Sequence, residues 1–172
     1  IANIDETIID REYVMQKEEK QIEQPRNPKS QASLVWLGST KSEAWVRGRH
    51  GPLRVDEPEV VGGEDTGPRP TEYVTVGYLG CVAVMIHKIA EEMNVEYSAL
   101  KVDAQAEVMP YKDDPRRLGI GRFLADIHIT TDEPIDKVDA VKNELDRRCI
   151  VTNMLRRSGA EMLVNWHVVS SE

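Results

Sequence analysis

The chain has 172 residues, of which 40% are hydrophobic and 30% charged, a size and composition that fit one globular domain with an appendage. Its formal net charge of -8, together with the lack of a basic groove interleaved with aromatic residues, argues against nucleic acid or a membrane surface as a partner. Two cysteines without a visible secretory signal favour a cytoplasmic protein, where thiols stay reduced.

Residues 1–29 are rich in Glu, Gln and Lys and predict a helical extension that leans on another surface. Their apolar residues are loosely spaced along one helical face, and Pro25 and Pro28 end the pattern. We therefore divide the chain into an extension, residues 1–29, and a domain, residues 30–172.

Three short strands are predicted next, at residues 32–37, 43–48 and 53–56. A loop rich in Gly, Pro and acidic residues follows, from residue 57 to residue 69. Its Glu64-Asp65 pair lacks the regular spacing of a calcium loop, so a solvated loop is favoured over a cation site.

The segment at residues 70–95 reads PTEYVTVGYLGCVAVMIHKIAEEMNV and organises the rest of the chain. Apolar or small residues occur on every side of its helical projection, which predicts a core helix that is buried all round. Charged residues close the apolar run before the ~20 residues that a membrane span needs. Gly77 and Gly80, inside the helix, predict the close approach of another backbone or of a ligand.

The remaining chain alternates strands and helices. Residues 100–109 and 123–130 alternate apolar and polar side chains and predict an antiparallel hairpin with one wet face. A helix from Ile135 carries apolar residues at helical spacing and places Cys149 on its buried face. A short helix at residues 151–157 and a strand at residues 162–169 complete an α+β class with antiparallel sheets.

The two cysteines, Cys81 and Cys149, both lie on helices that must share one core, so their sulfurs could come within bonding range. One interpretation is packing, since free Cys is often a small buried hydrophobe. The other is redox chemistry, in which one thiolate attacks a peroxide and the other captures the sulfenic acid. The spacing of these cysteines and of the scattered histidines fits no metal-ligand pattern, so neither a metal nor a cofactor is expected.

Thiolate chemistry requires a lowered thiol pKa. Cys81 lies nine residues beyond Glu72, too far from the start of its own helix for the helix dipole to act on it. A cation must therefore come from elsewhere, and Lys41 and the arginines of the early strands are the available donors.

Two segments, VDEPEVVGGEDTGPRPTEYVTVGYLGCVAVMI and LDRRCIVTNML, resemble the two cysteine motifs of the OsmC/Ohr family. The resemblance extends from Gln31 to the C-terminus. It implies an intertwined homodimer in which two long central helices are wrapped by antiparallel β-sheets, with active sites at the subunit boundary.

The resemblance also implies thiol-dependent reduction of organic hydroperoxides. Cys81 would then be the peroxidatic cysteine and Cys149 the resolving one, and a dithiol such as a lipoyl group would reduce their disulfide. Active members carry an Arg in the first hairpin turn and a Glu directly after the Arg-Pro pair. Lys41 and Glu72 are the nearest charged residues at these places in this chain.

Two other functions remain open from the sequence. A non-catalytic OsmC-like homodimer would bind a small molecule or sense redox state, and an interaction protein would work through residues 1–29. Catalysis is favoured if the sulfurs of Cys81 and Cys149 lie within about 4 Å and a cation faces Cys81.

Overall fold

The structure, a computed structural model, describes residues 30–171. The helical extension predicted for residues 1–29 lies outside the described residues. The described chain forms two compact units that divide between Pro70 and Thr71. The strands are β1 (Ala32–Gly38), β2 (Lys41–Val46), β3 (His50–Val55), β4 (Ala99–Pro110), β5 (Leu118–Thr130) and β6 (Glu161–Val169). The helices are α1 (Pro70–Met93), α2 (Ile135–Arg148) and α3 (Ile150–Arg157), with a 3-10 turn at Glu59–Val61.

The first unit is built on an antiparallel sheet in the order β1-β2-β3, as the sequence predicts. Leu34 pairs with Ala44, which pairs in turn with Leu53. The first hairpin turns at Gly38, whose φ of +107° is a conformation that residues with a side chain rarely adopt. The third strand begins at His50, three residues before the predicted start.

Asp56 fixes the loop that follows this sheet. Its side chain is fully buried and accepts hydrogen bonds from the hydroxyls of Thr40 (2.6 Å) and Thr66 (2.8 Å). It also accepts the backbone N–H groups of Glu57, Glu64 and Thr66. The hydrogen bond from Thr40, followed by those of Thr66 and Glu57, holds the pKa of Asp56 well below its ordinary value. The loop is therefore ordered around one carboxylate.

We expect Asp56→Asn to lower the melting temperature at pH 7 by about 5 °C, because the new amide would point N–H donors at existing donors. A lowered pKa stabilises the fold above the unfolded value of about 4 and loses that effect as pH falls through the folded value. The difference between the variant and the unmodified chain should therefore shrink at pH 3. Thermal denaturation followed by circular dichroism at both pH values measures the difference in melting temperature. Asp65→Asn, at an exposed position, is the control.

The second unit contains a sheet in the order β4-β5-β6. The predicted hairpin of β4 and β5 is confirmed, with Val102 opposite Ile127. The prediction that all strands pair antiparallel is wrong for β6, which runs parallel to β5 with Phe123 beside Met162. The reason is the connection, since α2 and α3 lie between these strands and form the helical crossover that parallel neighbours require.

The core of this unit lies between the sheet and α1. Phe123, Ala125, Ile127 and Ile129 of β5 are all buried. On α1, the buried residues are Tyr78, Val82, Ile86, Ile89 and Ala90. These five residues form one stripe, so the prediction of a helix buried all round is wrong for the single chain. The sheet covers only one side of α1.

The opposite face of α1 is exposed. Val76 and Val84 are 60% and 54% exposed, and a Cβ at Gly77 or Gly80 would meet no atom within 4 Å. The close approach predicted at the two glycines is therefore not made by the described residues. By length and composition alone α1 is apolar enough to cross a membrane, a property that core helices share. Its buried stripe belongs to the core of an α+β fold, and that predicted class is confirmed.

Candidate functional site

Cys81 and Cys149 come together in the second unit. Cys81 lies in the middle of α1, and Cys149 lies at the junction of α2 and α3. Their Sγ atoms are 3.4 Å apart, within the 4 Å limit set from the sequence. A disulfide bond is about 2.05 Å long, so small side-chain rotations suffice to bring the two sulfurs to bonding distance.

The position of Cys149 follows from the end of α2. Its N–H donates to the carbonyl of Leu145 (2.9 Å), and its own carbonyl accepts the N–H of Asn153 (3.0 Å). The same residue thus ends α2 and begins α3, with an extended backbone between the two helices. Leu145 and Val141 are buried one and two turns before it, so Cys149 is buried as well, as the helical spacing predicts.

The two sulfurs differ in exposure. Cys149 is fully buried, whereas Cys81 is partly exposed at the edge between the buried stripe and the open face of α1. A solute that approaches the pair therefore meets Cys81 first.

Burial raises the pKa of the Cys81 thiol above its ordinary value, and the neighbouring Cys149 raises it further. Hydrogen bonding by the backbone N–H of Val151, and to a smaller extent by that of Ile150, opposes this rise. These two residues open α3, where helical N–H groups lack partners within the helix and favour negative charge. The sequence did not predict this contribution, because the N–H groups belong to a different helix from the one that carries Cys81.

A polar cluster borders Cys149. Tyr78 is buried, and desolvation raises its pKa to about 12, so the phenol stays neutral. The side chain of Thr152 hydrogen-bonds to it and partly offsets this rise, as does the charge of Arg156. The guanidinium of Arg156 binds the carboxylate of Asp146, with an Nη1 to Oδ2 distance of 2.9 Å.

Arg156 belongs to α3, the helix that begins directly after Cys149. Its pKa is raised first by its hydrogen bond to Asp146 and then by the charge of that carboxylate. Arg156, Asp146 and Tyr78 are not among the site residues predicted from the sequence. Their helical spacing was the available signal, since Tyr78 precedes Cys81 by three residues and Arg156 follows Cys149 by seven.

The other two predicted site residues belong to other parts of the fold. Lys41 belongs to β2 in the first unit, where its Nζ is 2.8 Å from Oε1 of Glu64, and this hydrogen bond raises the Lys41 pKa. Glu72 lies in the first turn of α1, about 13 Å along the helix axis from Cys81. Within residues 30–171 no three His, Cys, Asp or Glu side chains form a group able to hold a metal ion.

Comparison with known proteins connects this geometry to a family. The family model described as OsmC-like protein matches residues 63–162, more than half of the chain and including both cysteines. No curated protein matches the sequence.

Solved structures agree on the fold. An OsmC-like protein from Mycoplasma pneumoniae is similar at a TM-score of 0.70 and 14% identity, over 83% of this chain and 99% of that one. An organic hydroperoxide resistance protein from Legionella pneumophila is similar at a TM-score of 0.63 and 14% identity, over 84% of this chain and 99% of that one. The organic hydroperoxide resistance protein OhrB of Bacillus subtilis is similar at a TM-score of 0.58 and 17% identity, over 81% of this chain and 97% of that one.

The family predicted from the two cysteine motifs is thus confirmed by a match that includes both cysteines, and the fold by structures that share its architecture at low identity. This chain belongs to the OsmC-like protein family.

Proposed function

We propose that this protein reduces organic hydroperoxides through a disulfide-forming cysteine pair, with Cys81 as the nucleophile and Cys149 as the resolving thiol. The observation that carries the proposal is the 3.4 Å separation of the two Sγ atoms. The difference in exposure supports the order of the roles, because a substrate reaches Cys81 and not the buried Cys149.

The first step breaks the O–O bond of the substrate. The Cys81 thiolate attacks the terminal oxygen, a sulfenic acid forms on Cys81, and the alkoxide leaves and takes a proton to become an alcohol. In the second step, Cys149 attacks the Cys81 sulfur, an S–S bond forms, and the sulfenic hydroxyl leaves as water. An external dithiol of the lipoyl type then reduces the disulfide and is itself oxidised to a disulfide.

Two lines of support point to an organic substrate. Two proteins with a similar fold are named organic hydroperoxide resistance proteins. In this chain, Ile150 opens the helix whose N–H groups face Cys81 and is itself 75% exposed. The alkyl group of an organic hydroperoxide gains binding free energy by covering such apolar surface, whereas hydrogen peroxide has no apolar group.

The proposal includes a cytoplasmic homodimer. The exposed apolar face of α1, with open space over Gly77 and Gly80, is a surface on which a second copy of the helix would pack closely. Residues 30–172 would form the catalytic domain, and residues 1–29 an extension. A reducing compartment would keep the dithiol available.

The test is a turnover assay with tert-butyl hydroperoxide and dihydrolipoamide, run beside hydrogen peroxide at the same concentration. We expect kcat/KM for the alkyl hydroperoxide to exceed that for hydrogen peroxide at least tenfold, since about 1.4 kcal/mol of apolar contact is sufficient for this ratio. Equal rates would remove the organic substrate from the proposal. No turnover of either peroxide would remove the activity itself.

A pH dependence follows from the raised pKa of Cys81. Below that pKa the thiolate fraction grows about tenfold per pH unit, so the rate of the first step should rise about a hundredfold between pH 6 and pH 8. Single-turnover mixing of the reduced protein with tert-butyl hydroperoxide measures this step alone. A rate that stays constant across this range would mean that the reacting thiol is already ionised.

The raised pKa also favours a second candidate, a non-catalytic redox sensor in which the same pair forms a disulfide slowly. Few thiolates at neutral pH would make the first step slow, and the disulfide would then act as a signal. The two functions differ in rate. A second-order constant below about 10³ M⁻¹s⁻¹ at pH 7.5 favours the sensor, because enzymes typically reach 10⁴ or more.

A further inference from the structure

On the basis of the proposed function, we infer that Ile150 and Met154 of α3 form the surface that receives the organic group of a hydroperoxide while Cys81 attacks the terminal oxygen. Both are assigned as specificity-determining residues, which contact the organic group and take no part in breaking the O–O bond. The substrates that they favour carry an uncharged alkyl or aryl group large enough to extend beyond Ile150.

The start of α3 lies beside Cys81. The Sγ atom of Cys149 is 3.4 Å from that of Cys81, and Ile150 is the next residue in the chain. The backbone N–H groups of Val151 and Ile150 also hydrogen-bond to the Cys81 sulfur. Two contacts, one through a side chain and one through the backbone, therefore place the first turn of α3 at the reacting sulfur.

Ile150 and Met154 lie on the outer face of α3, where they are 75% and 54% exposed. Because they are four residues apart, they are neighbours on this face and about 6 Å apart along the helix axis. Thr152 and Leu155 lie on the opposite face and are buried. The helix is thus anchored in the core on one side and presents two apolar side chains to solution on the other.

Exposure alone does not assign a role, because single exposed apolar side chains are common on protein surfaces. Ile135 shows the difference, since it also opens a helix and is 59% exposed. It stands at the far end of α2, about 20 Å along the helix axis from Cys149. Ile150 is the isoleucine that an organic group bound at the cysteine pair can cover.

The surface formed by Ile150 and Met154 belongs to a different helix from Val76 and Val84. It therefore does not depend on open space over the face of α1 that a second copy is proposed to cover.

The two side chains act on different parts of the substrate. Ile150 is closer to the sulfur along the chain, so every organic group held at Cys81 covers it and gains binding free energy. Met154 lies one turn further on, and only a larger group reaches it. Its flexible thioether side chain adapts well to aromatic groups. Cumene hydroperoxide, with its phenyl ring, should therefore use both residues, whereas the compact tert-butyl hydroperoxide should use Ile150 alone.

Variants of the two residues test this division with dihydrolipoamide as reductant. We expect Ile150→Ser to lower kcat/KM about fivefold for both organic hydroperoxides, and Met154→Ser to lower it about fivefold for cumene hydroperoxide only. The rate with hydrogen peroxide, which has no organic group, should change less than twofold in either variant. Met154→Leu, which keeps the apolar surface, should retain the rate with cumene hydroperoxide. Ile135→Ser is the matched control and should leave all three rates unchanged.

Two results would overturn the assignment. An equal loss with all three peroxides would show that Ile150 acts on the thiolate or on the start of α3 instead of on the organic group. Unchanged ratios among the three substrates in both serine variants would show that neither side chain is covered during the reaction.

Alkylation of Cys81 provides a second measurement that needs no peroxide. The reduced protein is treated with N-methylmaleimide or N-phenylmaleimide, and each rate is divided by the rate of the same reagent with glutathione. Since Cys149 is buried, the reagent reacts at Cys81. We expect a preference of about fivefold for the phenyl reagent, which falls in Ile150→Ser and in Met154→Ser but not in Ile135→Ser.

The two measurements separate this assignment from the proposed function. A preference that persists in both serine variants would overturn the assignment, even in a protein that turns over hydroperoxides. A preference that is lost in those variants, in a protein that turns over no hydroperoxide, would remove the proposed function and keep the surface as the binding site for organic groups at Cys81.

Discussion

Cys81→Ser protein is expected to lose hydroperoxide turnover by at least about a thousandfold, the scale on which enzymes respond to loss of a nucleophile. The Ser hydroxyl keeps the size of the side chain but ionises far too weakly to attack an O–O bond. Consumption of tert-butyl hydroperoxide with dihydrolipoamide at pH 7.5 measures the loss. Because Cys81 is only partly buried, the substitution should leave the circular dichroism spectrum and the melting temperature close to those of the unmodified chain.

Cys149→Ser is the matched control and should behave differently. Cys81 of this variant still attacks, so one equivalent of alcohol should form per chain. The sulfenic acid then persists because no second thiol lies 3.4 Å away. Dimedone labelling of Cys81 after one turnover detects that species. If Cys81→Ser protein still produced the burst and Cys149→Ser protein did not, the two roles would be exchanged.

The sequence was sufficient to predict the fold class and to place both cysteines on helices of one core. The period-2 alternation of β4 and β5 and the 3.6-residue spacing before Cys149 are local patterns that the tertiary structure preserves. Because α1 and the junction of α2 and α3 pack into one core, Cys81 and Cys149 are brought close together. Their Sγ atoms are 3.4 Å apart in this packing.

The parts that were missed depend on relations between elements. β6 pairs parallel to β5 because α2 and α3 cross the sheet between the two strands. The local residue pattern of β6 does not indicate this direction. The N–H groups of Ile150 and Val151 reach Cys81 because the start of α3 lies against the middle of α1. Helix-dipole reasoning confined to one helix could not detect a second helix that begins beside the sulfur.

Arg156 illustrates the same point for charge. The search for a cation looked to the early strands, where Lys41 instead pairs with Glu64. Arg156, seven residues after Cys149, is held by Asp146, three residues before that cysteine. Two adjacent arginines after a cysteine motif are a weak sequence signal. Only the turn between α2 and α3 brings Arg156 to Asp146.

Val84→Asp is expected to convert the proposed dimer to single chains. Val84 is 54% exposed on the open face of α1, so a carboxylate there is tolerated by the isolated chain. Buried between two copies of the helix, the same carboxylate would lose its hydration without a partner, at a cost of several kcal/mol per copy. Size-exclusion chromatography with light scattering at micromolar concentration measures the change, from the mass of two chains to the mass of one.

The matched control is Ser170→Asp, which adds the same charge at an exposed position after β6 and should leave the mass of two chains unchanged. Circular dichroism should show helix content preserved in both variants, since Val84 contributes nothing to the buried stripe of Tyr78, Val82 and Ile86. An unmodified chain that elutes at the mass of one, or a Val84→Asp chain that still elutes at the mass of two, would show that the exposed face of α1 is not the dimer contact. Loss of activity together with loss of the dimer would locate the working site at the boundary between copies, whereas full activity in the single chain would mean that Cys81 and Cys149 suffice within one subunit.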